Sequence, residues 1–190
     1  MHPDVAVIIA EIDADRARFE TFSRSLSLEE LGRPVPNSSW IVKDFISHLA
    51  TIDRTVEVMF RAVHNGTQGA PSSGSGLAGG IDDWNDKRVA ERREKTVDEI
   101  LAEGALARAS LEDAMAQFSQ SDLDYEMSFG GDSKRPPSKV QMGQYLRGWA
   151  KHDPMHALDM MRALPERQSP ELDAWFDDPA IRRYQAAMNP

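Results

Sequence analysis

The sequence predicts an all-α fold, a four-helix bundle with short C-terminal helices. Three observations predict it: long segments with apolar residues at 3,4 spacing, proline- and cap-rich punctuation between them, and one uncharged Gly/Ser-rich stretch with no regular pattern. At 190 residues the chain can bury one substantial core, so a single domain over 1–190 is expected.

Helix one is expected over residues 4–27, where Val5, Ile8, Ile9, Ile12, Phe19, Phe22 and Leu26 form one apolar face. The prolines of Gly32-Arg-Pro-Val-Pro-Asn-Ser-Ser39 stop it, and Asn37, Ser38 and Ser39 suit a new helix start. Helix two should run from about Trp40 to His64, with Ile41, Phe45, His48, Ile52, Val56 and Met59 inward. Residues 65–80 read as a mobile loop that could reach roughly 50 Å when extended, enough to run the length of helices of ~35 Å. Asp82 can cap a segment over 84–93, and the capping box of Thr96-Val-Asp-Glu99 restarts it, which places a break near Lys95. The second half keeps Val97, Ile100, Leu101, Leu111, Met115 and Phe118 on one side. Residues 125–137 have turn chemistry and room for a small hairpin at most. Ser138-Lys-Val-Gln141 reads as another capping box, opening a fourth helix that runs to about Leu164. In the tail, residues 166–190, Ser169-Pro170 and Asp178-Pro179 each start a short helix.

Composition narrows the function. With 22 basic against 31 acidic residues the formal charge is −9, which disfavours nucleic acid and anionic lipid surfaces as partners. No apolar run approaches the roughly 18 residues that cross a bilayer, and the Met-His-Pro-Asp start lacks a basic-then-apolar leader, so a cytoplasmic protein is expected. The absence of cysteine leaves His, Asp and Glu as the strong metal ligands.

His48 occupies a position where the helix-two stripe calls for an apolar residue, and such a group needs a partner. His152 and His156, four residues apart in the fourth helix, stack on one face and can share an ion. Spacing alone leaves a solvated or core-packed pair as the alternative. With His48 added, the set becomes a three-imidazole site with open positions for water or substrate.

Trp40-Ile-Val-Lys-Asp-Phe-Ile-Ser-His48-Leu, followed by Trp149-Ala-Lys-His152-Asp-Pro-Met-His156, resembles the DinB-like superfamily of metal-binding four-helix bundles. Trp84 to Arg92 is similar to the helix-three start of DinB-like and mycothiol-dependent maleylpyruvate isomerase-type domains. The resemblance covers nearly the whole chain. It implies a divalent metal, commonly zinc or nickel, on His48, His152 and His156, a long crossover between helices two and three, and a homodimer. Ile41 follows the tryptophan where such proteins often carry Ser or Thr, which weakens the expected cap.

Helical spacing adds four further groups, and a polar pair stands at a helix start. Asp44, one turn before His48, and Asp159, three residues after His156, can accept an imidazole N–H. Tyr145 and Trp149 fall on the His152 face and can wall a small-molecule pocket, with core packing as the other role for the tryptophan. Asn85 and Arg88 can recognise an anionic substrate or a thiol cofactor. The leading expectation is a metal enzyme: the resemblance implies either thiol-dependent transfer or isomerisation, or metal-dependent hydrolysis, and transfer of a low-molecular-weight thiol such as mycothiol or bacillithiol is preferred because the chain supplies no thiol of its own and no obvious general base near the triad. A stress protein that sequesters a toxic metabolite or a metal without turnover is the alternative, and a scaffold with a vestigial triad is a third reading.

Overall fold

The computed structural model describes residues 1–67, 80–130 and 136–188. Among these, four long helical columns surround the core. The first is α1 (Pro3–Arg24), followed by the single turn α2 (Leu28–Leu31). The second is split into α3 (Val42–Leu49) and α4 (Ile52–His64), and the third into α5 (Gly80–Ala90) and α6 (Val97–Met115). A short α7 (Gln120–Leu123) and a hairpin of β1 (Glu126–Phe129) with β2 (Ser138–Gln141) precede the fourth, α8 (Met142–Trp149) and α9 (His152–Met161). After a 3-10 turn at Pro165–Arg167 the tail forms α10 (Pro170–Phe176) and α11 (Pro179–Met188), the two proline-led helices expected there.

The columns close a ring, α1 on α6, α6 on α3 and α4, α3 on α9, and α9 on α1. Columns two and three run in the same direction, because α5 lies against α3 and α6 continues along α4. The expected crossover falls largely on residues 68–79, outside the described residues. No described helix is long and apolar enough to cross a membrane.

Four boundaries differ from the sequence reading. Helix two is not continuous: Thr51 turns its hydroxyl back onto the carbonyls of Ser47 (3.2 Å) and His48 (3.0 Å), and its own N–H bonds His48 O, so the helix ends and restarts. Helix four is interrupted at Ala150–Lys151 because Pro154 has no N–H to donate to the Ala150 carbonyl and its ring crowds that group. Ser138–Gln141 does not open a helix. It pairs antiparallel with β1, Met127 opposite Val140, and Gln141 then becomes the residue before α8. α5 starts at Gly80, earlier than expected, and Asp82 lies in its first turn. The Thr96–Glu99 capping box forms as expected, with Thr96 N–H donating to Glu99 Oε2 at 2.7 Å.

The buried core falls into two apolar clusters. One holds Phe19, Phe45, Leu49, Ile100, Leu101 and Met160, the other Ile12, Val56, Phe60, Leu111, Met115 and Leu146. Between them lies a layer of buried charge to which each column contributes one residue. Arg108 of α6 donates from Nε to Asp53 of α4 at 2.8 Å and reaches Asp153 of α9 at 3.4 Å. Arg16 of α1 donates to Asp153 at 3.1 Å and lies 3.6 Å from Asp53. All four are buried and their formal charges cancel. The columns also approach closely here: a Cβ on Gly104 would stand 3.1 Å from the Ala50 Cα, so glycine is what permits this crossing.

Removing one member strands a buried charge, which costs about 3–5 kcal/mol. Arg108→Met is therefore expected to lower the unfolding free energy by that amount in urea titrations followed by circular dichroism, with Arg16→Met behaving alike.

Candidate metal centre

His48 stands in the last turn of α3, and His152 and His156 in the first two turns of α9, immediately beside the two helix breaks. Packing of α3 on α9 brings one ring nitrogen from each to within 4.8 Å of the others. The ring centroids are 4.6 to 5.4 Å apart, and the Nε2 atoms of His152 and His156 face each other at 3.2 Å.

Each ring is held from behind. Trp149 stacks on His152, centroids 4.3 Å apart and nearly parallel at 16°. Trp40 leans on His48 at 5.2 Å and Phe45 on His156 at 5.6 Å. His156 Nδ1 lies 3.0 Å from Asp159 Oδ2, the same oxygen to which the Tyr184 hydroxyl of α11 donates at 2.6 Å. Arg162 pairs with Asp159 Oδ1 at 3.4 Å.

Burial pushes His48 well below the usual histidine range, and the neighbouring His156 adds to the shift, while Asn85 opposes it. His152 is likewise held well below it, first by burial, then by His156 and His48, and also by the positive charges of Arg108 and Arg16. Neutral imidazoles keep a lone pair for a metal. Among the described residues, His48 Nδ1, His152 Nδ1 and Asn85 Oδ1 are buried without a completed hydrogen bond.

This donor set fits a metal ion. Zinc–nitrogen bonds of about 2.0–2.1 Å place tetrahedral ligands roughly 3.3 Å apart, close to the 3.2 Å between His152 and His156. Three imidazoles leave coordination positions open, and His156 lines a cavity of about 320 Å³ together with Trp40, Phe45, Asn85, Arg162 and Tyr184.

The structure distributes the other expected site residues differently. Asp44 accepts the Ile41 N–H at 3.1 Å and pairs with Arg93 at 3.5 Å, so it caps α3 instead of holding His48. Ile41 has no side-chain acceptor of its own, and the Asp44 carboxylate reaches back from the first turn to accept the Ile41 N–H. Tyr145 does not line the cavity. It packs in the second cluster, stacked on Phe129 at 5.8 Å and edge-on to Phe60 at 6.1 Å, and its burial pushes the phenol up to about 12. Trp149 lines none of the cavity either and serves as the wall behind His152. Arg88 lies over Trp84 at 5.8 Å, pairs with Glu91 at 3.0 Å and does not line the cavity. Asn85 does line it.

The sequence reading missed Tyr184, Arg162 and the four buried charges. Tyr184 is 25 residues from Asp159 on a separate helix, so no local spacing joins them. The charge layer did leave a trace: the apolar stripe lapses between Ile12 and Phe19 and again between Leu101 and Leu111, where Arg16 and Arg108 stand.

The chain matches the family described as mycothiol maleylpyruvate isomerase N-terminal domain over residues 12–160. It belongs to that family, which is DinB-like. The matched stretch includes all three histidines and Asp159, and ends before Arg162 and Tyr184. No curated protein and no solved structure gives a match.

In the metal-free protein His48 and His152 remain neutral at pH values where the unfolded chain, with histidines near 6.5, is protonated. The unfolded state then binds more protons, so stability is lost as pH falls below about 6.5. Urea midpoints measured without metal should drop between pH 7 and 5, each ring adding at most about 1.4 kcal/mol per pH unit, and His48→Gln should flatten that slope.

Proposed function

We propose that the protein binds one divalent metal ion, zinc or nickel, through His48, His152 and His156, and acts as an enzyme on a small electrophilic molecule with an external low-molecular-weight thiol such as mycothiol or bacillithiol. The observation that carries this reading is the convergence of three imidazoles, two of them held neutral, beside a cavity of about 320 Å³. Membership of the mycothiol maleylpyruvate isomerase N-terminal domain family supports it, and the absence of cysteine means that any thiol must come from outside.

A metal bound here would lower the pKa of a ligated water or thiol and polarise a substrate. The chain's own residues supply the rest. Asp159, by accepting the Nδ1 proton of His156, leaves Nε2 of that ring as the lone-pair donor. Trp40 and Phe45 give the cavity an apolar wall against which a small organic molecule can exclude water, and Asn85 offers an amide for orienting it.

Elemental analysis of untagged protein should return one metal per chain, and His152→Ala should lose it. Metal-loaded protein incubated with electrophiles and each candidate thiol should turn over many times, and the same variant should abolish this. Stoichiometric uptake without turnover would instead identify a sequestering protein, and absence of metal a scaffold.

A further inference from the structure

We infer that Tyr184, on the tail helix beyond the family-matched stretch, is a positioning residue for the metal centre, holding through Asp159 the orientation of the His156 ring. The inference rests on the metal-binding reading above.

Asp159 is 3% exposed, and a carboxylate so buried needs donors of fixed geometry. Both of its hydrogen-bonding contacts fall on one oxygen. Oδ2 meets His156 Nδ1 at 3.0 Å and the Tyr184 hydroxyl at 2.6 Å, within the range of charge-assisted O–H···O⁻ bonds. Oδ1 has no hydrogen-bond partner among the described residues and meets Arg162 only as an ion pair at 3.4 Å. Tyr184 thus decides which oxygen faces the imidazole. Without its hydroxyl, the carboxylate keeps a single donor on Oδ2 and can rotate toward Arg162, which releases the ring plane and the tautomer of His156.

The tail is seated independently of this bond. Ile181 is buried to 1% exposure, and Asp178 caps the helix by accepting the Ala180 N–H at 2.7 Å. Lys151, directly before His152, lies 3.6 Å from Asp178, and Trp175 donates to Asp15 at 2.8 Å. Loss of one hydroxyl therefore leaves α11 in place, and the consequence falls on the centre.

The test is metal affinity, read by competition between the full-length metal-free protein and a chelating indicator with Zn²⁺, together with the visible absorption of the Co²⁺-loaded protein. Tyr184→Phe, which keeps the ring, should weaken Zn²⁺ binding by about 10–100-fold and alter the Co²⁺ bands. Asp159→Asn should do at least as much, and the double variant should bind no worse than Asp159→Asn alone, since both act along one chain of contacts. Arg182→Ala, on the same helix but paired outward with Asp177, should leave affinity unchanged. Wild-type affinity and an unaltered Co²⁺ spectrum in Tyr184→Phe would overturn the inference while sparing the metal reading. So would additive losses in the double variant, or an equal loss in Arg182→Ala. Failure of the wild-type protein to take up metal would overturn both.

Discussion

The architecture depends on the buried quartet of Arg16, Asp53, Arg108 and Asp153. Each of these ions would be costly to bury alone, and together they are tolerable because every charge meets at least one opposite charge across a column boundary. An apolar layer of equal volume would be as stable. The difference is that apolar residues can slide past one another, whereas this layer is satisfied at one relative height of the columns. The height it sets is the one at which the second and fourth columns break, and beside those breaks stand the three imidazoles. The same guanidinium groups act on His152 electrostatically, helping to keep it uncharged.

Much of this was legible in the sequence because the informative patterns are periodic. Apolar stripes at helical spacing mark α1, α6 and the inward face of column two, and His48 was visible as a polar interruption of one of them. The His152/His156 pair was visible for the same reason, since a spacing of four is a property of one helix. The prolines that open α10 and α11 are read from single residues. What escaped is whatever depends on two elements at once. Asp44 satisfies the same spacing rule as a histidine partner and as a helix cap, and the cap prevails because Ile41 leaves an amide unsatisfied. The strand pairing of Ser138–Gln141 outcompetes a capping box whose local signal is equally good.

The two helix breaks show how a residue can be read for the wrong consequence. Pro154 lies in the middle of the stretch expected to be one continuous helix, and its geometry forbids that four residues upstream. Thr51 has no comparable signature, since a threonine inside a helix commonly bonds back to the preceding turn without ending it. Here that bond coincides with the crossing of Gly104 over Ala50, where the column is already pressed against its neighbour.

Because columns two and four are interrupted, helix termini occur in the protein interior where continuous helices would have none. The amide end of α9 underlies His152, and the carbonyl end of α3 underlies His48. Aligned peptide dipoles leave roughly half a positive charge at the first kind of end and half a negative charge at the second. A dication between them would meet opposed fields, repelled by one backbone terminus and drawn by the other, so the macrodipoles would largely cancel and leave the affinity to the imidazole lone pairs.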